Sequence, residues 1–239
     1  MKRFKILSID WDYFIRASMD TRIKLFPDGG DYNLNLSNAI WLTHYVGPFA
    51  SDLRKVGVSR KDLVLTQGLV QKQLISRGIP VAVTESHVEI YEFIHLLQKK
   101  YKFSEINLYN IDFHHDVFSQ NKDKVDCGNW LNFIKQEFSG DYSWISCPTS
   151  SDYGGAERLK RVCIESIKNM DFDAIFICRS PLWSPPHLDK HFIDSFGFIK
   201  ELPWSICQKS VFEDRFNSEF QQNIFNLQKA YEKPKSHNI

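Results

Sequence analysis

The sequence predicts a single α/β domain over residues 1–239, with a mainly parallel central sheet flanked by helices. Three observations carry this expectation. Short uninterrupted apolar runs recur along the chain, as strands buried on both faces require. Segments with apolar residues at helical spacing separate them, which is the alternation of a parallel α/β sheet. No internal repeat or linker-like stretch divides the 239 residues, a length suited to one large domain.

The elements follow in chain order. Residues 4–9 are an apolar run ending at acidic positions, a buried strand. Residues 27–31 (Pro-Asp-Gly-Gly-Asp) carry turn chemistry. Residues 36–45 fit neither period cleanly. Ser59 can cap a helix over 60–77 that Gly78 ends. Residues 79–84 predict a strand, with Pro80 near its start where proline is tolerated. A helix is expected over 85–100, from the spacing of Val88, Tyr91, Phe93, Ile94 and Leu97. Residues 106–111 are a strand, followed by a polar loop to Lys124. A helix over 130–138, a strand over 142–147 and a helix over 153–170 opened by Asp152 come next. Residues 174–178 are a strand, 181–186 a Pro-rich loop, and a helix starts at His187. A last helix spans 213–232, its apolar residues at helical spacing packing on the domain or forming a dimer contact, and the end frays.

Composition excludes several classes. Thirty Lys and Arg against twenty-nine Asp and Glu give a net charge of +1. That balance argues against a chain built to coat nucleic acid or an anionic membrane. No apolar stretch reaches the length of a membrane span, and the basic start lacks a cleavage site of small residues. The five cysteines, Cys127, Cys147, Cys163, Cys178 and Cys207, are an odd, widely spaced set without C-x-x-C. Free thiols in a reducing cytoplasm are expected.

The chemistry is concentrated after three strands. The first ends in Asp10-Trp11-Asp12, the second in Glu85-Ser86-His87, the third in Asp112-Phe113-His114-His115-Asp116. Ligands of open α/β sheets bind beyond the carboxyl ends of the strands. In an extended segment, residues two apart share a side. Asp10 and Asp12 then face together, as do Asp112, His114 and Asp116, while His115 faces away. Four converging carboxylates repel unless cations join them. Mixed oxygen and imidazole ligands suit Mn²⁺, with Fe²⁺, Co²⁺ or Zn²⁺ as alternatives. Six such ligands are enough for two ions, which can activate water as a nucleophile.

The Asp112/His114/Asp116 spacing resembles the D-x-H-x-D motif of the arginase/deacetylase superfamily. The resemblance is closer to the peptide arginases of ribosomally synthesised peptide clusters. It extends to Ser86-His87-Val88-Glu89, Asn129-Trp130 and Cys178-Arg179-Ser180-Pro181. It implies an arginase-like sheet with a permuted strand order, because the D-x-D strand opens the chain. It implies two Mn²⁺ ions, one held by His87, Asp112, Asp116 and Asp10, the other by His114, Asp112, Asp10 and Asp12. It also implies hydrolysis of arginine side chains in a precursor peptide to ornithine and urea. The guanidinium-binding Glu and the His-Gly-Met segment of free-arginine arginases have no counterpart here. Candidate guanidinium partners are Asp28, Asp31, Asp126 and Asp152, and candidate proton shuttles are His115, His44 and His187. Trp130, Trp183 and Trp204 are aromatics in or near loops that could grip an extended peptide. Other readings remain open: a phosphoaspartate phosphatase using Asp10, Asp12 and Mg²⁺, a deacetylase-like amide hydrolase, and a non-catalytic binding module.

Overall fold

The computed structural model describes residues 3–27, 33–118, 123–150 and 154–232. Seven strands form the central sheet: β1 (Arg3–Asp10), β4 (Val81–Thr84), β5 (Glu105–Ile111), β6 (Ser139–Ile145), β7 (Lys160–Arg161), β8 (Ala174–Cys178) and β9 (Ser205–Cys207). Their order is β7-β6-β5-β1-β8-β4-β9, and every neighbouring pair is parallel. The α/β expectation is therefore met. β2 (Ile15–Arg16) and β3 (Gly57–Val58) make a separate antiparallel pair.

Strand alternation divides the core between two faces. Leu7, Ile9, Val81, Val83, Ile175 and Ile177 point one way. They meet α2 (Leu34–Val46), α4 (Arg60–Arg77), α7 (Ile164–Ile167), α8 (Asp189–Phe196) and α9 (Ser218–Glu232). Phe4, Ile6, Ile106, Leu108 and Phe176 point the other way, onto α5 (Glu89–Tyr101) and α6 (Trp130–Glu137). Two short helices, α1 (Met19–Leu25) and α3 (Ala50–Leu53), lie between β1 and α4 in the chain.

Several boundaries differ from the sequence expectation. The unassigned stretch at 36–45 lies within α2, whose buried Ser37, Trp41 and Tyr45 recur every fourth residue. Residues 154–170 do not form one helix. They hold a 3-10 turn at Ala156–Arg158, then β7, then α7. Gly154 and Gly155 adopt φ of 85° and 98°, outside the helical region. The helix expected from residue 85 starts at Glu89, leaving His87 in the turn before it. The last helix starts at Ser218 rather than 213, because Asn217 caps it by accepting the Phe220 N–H at Oδ1, while Arg215 before it is buried. Phe220 and Ile224 of α9 are buried, while Phe225 is half exposed.

β1 sits centrally, between β5 and β8. Ile9 pairs with Ile111, Asp10 with Cys178, and Cys178 with Thr84. Register thus levels the ends of four strands, and the residues that follow them emerge together.

Candidate metal centre

Five of the six residues are almost completely buried: Asp10, Asp12, His87, Asp112 and Asp116 expose 4 % or less. The His114 side chain keeps 21 % of its exposure and marks the open side. Asp10 ends β1, and Asp12 lies in the 3-10 turn that follows. Asp112 follows β5 directly. The segment beyond it is bent, not extended. Asp116 adopts a left-handed φ of 55°, a conformation that Asp tolerates better than most residues. The convergence of Asp112, His114 and Asp116 therefore comes from bends, where the sequence argument invoked strand alternation.

His87 Nδ1 lies 3.2 Å from Asp10 Oδ2, 3.2 Å from Asp112 Oδ2 and 3.0 Å from Asp116 Oδ2. One ring N–H can serve one acceptor, and none of the three contacts has hydrogen-bond geometry. His114 Nδ1 lies 3.0 Å from Asp12 Oδ2, a buried oxygen that likewise makes no hydrogen bond. Ligand atoms about 2.1 Å from an octahedral ion are about 3.0 Å from their neighbours. The spacing is that of donors around cations. Two groups could each hold an ion: Asp10, His87 and Asp112, and Asp12, Asp112 and His114. Asp112 stands in both and Asp10 in one.

Neutral groups orient these ligands. His87 Nε2 and the Ser8 hydroxyl are hydrogen-bonded at 2.7 Å, which fixes the ring with Nδ1 facing the carboxylates. Ser180 Oγ donates to Asp10 Oδ2 at 2.7 Å, and Asn110 Nδ2 to Asp112 Oδ2 at 3.0 Å. The Trp130 indole donates to Asp116 Oδ2 at 2.6 Å. The sequence reading assigned these four no such role. The signal was there for two of them: Ser8 and Asn110 are polar, lie inside apolar strands, and precede Asp10 and Asp112 by two residues.

Without an ion, protons balance the charge. Burial, then the Asp12 charge, pushes the Asp10 carboxyl up to about 6. Burial, then Asp116 and Asp10, holds Asp112 well above the carboxylate range. Burial pulls His87 down, but Asp116, Asp10 and Asp112 outweigh it and leave the imidazole well above its ordinary value. His114 is raised because Asp12 outweighs its burial. Burial opposes the Asp116 carboxylate, yet the His87 charge brings it below its ordinary value.

The other candidates are placed as follows. His115 is buried, accepts the Val117 N–H at Nδ1, and packs on Phe118 and Trp144. His44 lies on α2 beside Trp41, its imidazole pKa lowered by burial. His187 bonds Tyr45 and the Val56 carbonyl. Asp126 accepts the Gly128 N–H in the turn that opens α6. Asp28, Asp31 and Asp152 lie outside the described residues. Trp183 stands beside His114, with ring centroids 5.1 Å apart. Trp204 is exposed next to the edge strand β9. Among the described residues, no helix is long and apolar enough to cross a membrane. Compared with protein-family models, curated proteins and solved structures, the chain matches none.

Proposed function

We propose that this chain is a binuclear, manganese-dependent peptide arginase. It hydrolyses the guanidino group of arginine residues in a ribosomal precursor peptide, giving ornithine and urea. The observation that carries the reading is the set of carboxylates packed 3.0–3.2 Å around His87 Nδ1, with a second such contact at His114. The D-x-H-x-D, D-x-D and histidine motifs that supply these residues resemble those of peptide arginases, and this resemblance selects the substrate class.

His87, Asp10, Asp112 and Asp116 would hold one ion, and His114 and Asp12 the other, with Asp112 between them. When bound, the ions supply Lewis acidity: they lower the pKa of water and neutralise charge that develops in the transition state. Ser8, Ser180, Asn110 and Trp130 keep the ligands in one orientation. Burial of the cluster excludes bulk water on every side but that of His114.

The test is the intact mass of an arginine-containing peptide after incubation with the Mn²⁺-loaded protein. Loss of one CH2N2 unit per arginine is expected. An unchanged mass with both ions bound overturns the reading, and hydrolysis of an acetyl-lysine peptide would replace it with amide hydrolysis. The His114→Ala variant is expected to be inactive. Phosphate-ester hydrolysis that survives in His114→Ala would favour a phosphoaspartate mechanism, which has no use for His114.

A further inference from the structure

We infer that Trp183 receives the cationic head of the substrate, its indole face stacking against an arginine guanidinium beside the metal cluster. This rests on the peptidyl-arginine reading above and names the group that selects the side chain.

Two observations on burial meet at this residue. Of the six cluster residues, only His114 reaches solvent appreciably. Of the nine residues 178–186, only Trp183 is not buried. Core packing accounts for its neighbours but not for a large aromatic left partly in water. Its ring lies 5.1 Å from that of His114, so the two open groups border the same approach.

The segment is also held rigid. The Trp183 N–H donates to the Ser180 carbonyl at 2.9 Å. The Arg215 guanidinium donates to the carbonyls of Pro181 and Ser184, both at 2.7 Å. Trp41 Nε1 donates to Pro181 O at 2.8 Å, and Ser184 Oγ to Arg179 O at 2.8 Å. The backbone is thus clamped on both sides of Trp183. A platform fixed before binding loses little entropy when a ligand arrives.

The chemistry fits a cation that must come near metal ions without a competing ligand. Another carboxylate beside the cluster could bind the ions instead. An indole face attracts a guanidinium through its quadrupole and offers no ligand atom. Glu85, the carboxylate after β4, is already taken by the buried Arg179 guanidinium, at 2.8 Å from Nε. The chain uses the same stacking next door, where the Arg22 guanidinium lies 3.7 Å from the centroid of the Phe113 ring.

The test is calorimetric binding of acetyl-arginine amide, and of its neutral isostere acetyl-citrulline amide, to the Mn²⁺-loaded protein. Wild type, Trp183→Phe and Trp183→Ala are compared, with metal content and ornithine formation measured alongside. Trp183→Ala is expected to weaken arginine binding about five- to thirtyfold. Trp183→Phe should weaken it less, and citrulline binding and metal content should hold steady. Equal arginine affinity in wild type and Trp183→Ala overturns the inference. So does an equal loss for citrulline, which would make Trp183 a general apolar contact, and so does a wild type that does not bind arginine. Charge-selective loss without any ornithine formation would sink the hydrolase reading and leave the platform standing. Ornithine formation with an unchanged KM in Trp183→Ala would do the reverse.

Discussion

Asp112 stands in both ligand groups, so replacing it should cost both ions at once. Asp112→Ala is expected to bind no Mn²⁺ by elemental analysis, and full occupancy would refute the assignment. Ser8 tests the next layer out. Its hydroxyl fixes the His87 ring, and losing such a partner costs about 10- to 100-fold in metal affinity. Ser8→Ala should therefore bind Mn²⁺ that much more weakly while keeping its fold, as titration against a competing chelator would report. The candidate ligands were legible in the sequence because they cluster at the ends of strands, although bends rather than strand alternation bring Asp112, His114 and Asp116 together. Of their orienting partners, Ser8 and Asn110 left a trace as polar residues inside apolar strands, whereas Ser180 and Trp130 come from distant or helical positions that spacing does not link to the cluster.

Protons and metal compete for the same atoms, which sets a direction with pH. Asp10 ionises near 6 in the folded protein against an ordinary value of 3.8, so its charge burdens the metal-free fold as pH rises. His87 and His114 are raised, so their stabilisation is complete below their ordinary value of 6.5 and is lost as pH climbs through their folded values. The depressed Asp116 acts below its ordinary 3.8, outside the window from pH 5 to 8. These groups give the metal-free protein a falling contribution to stability from pH 5 to 8, whereas the gain in Tm on adding Mn²⁺ grows across the same range. A Mn²⁺-induced shift that shrinks towards pH 8 would contradict this.

At the scale of elements, the strands were the most readable part, because burial on both faces leaves an uninterrupted apolar run. Residues 174–178 match the expected strand residue for residue. The segment from 154 to 170 was misread because its few apolar residues suit a helix as well as an edge strand and a turn. The loop after β8 was recognised as a loop, but its rigidity was invisible. That rigidity comes from Arg215, which lies 31 residues from Ser184 and whose guanidinium is also paired with the buried Asp189 at 2.6 Å. Removing one partner of a buried ion pair costs about 3–5 kcal/mol. Arg215→Ala should lower stability by that order in chemical denaturation and loosen the loop that carries Trp183. β6 offers a backbone test. At Gly140, φ is 139° and a Cβ would stand 1.8 Å from the Ile106 carbonyl oxygen. Gly140→Ala is expected to yield little soluble protein, because neither backbone can move without breaking the β5–β6 ladder.

For the whole molecule, metal binding at this cluster would be linked to folding. A ligand present at 100 times its Kd adds about 2.7 kcal/mol to the folded state, or about 5–10 °C in Tm for a chain of this size. Thermal melts with Mn²⁺ and then with excess chelator should show this gain appear and reverse. A Tm indifferent to Mn²⁺ would mean the cluster serves the fold alone.

The central place of β1 also constrains the order of events at the ribosome. β1, made before both of its neighbours, needs β5 on one side and β8 on the other. The Ser180 hydroxyl that steadies Asp10 lies 170 residues further along. At about 5–20 residues per second, that separation takes roughly 10–30 s to synthesise. Until then the carboxylates of the amino-terminal half have no closed chamber to share, and a nascent chain stopped before β8 should not retain manganese. An ion taken up by this cluster would therefore report that β8 has slotted in beside β1.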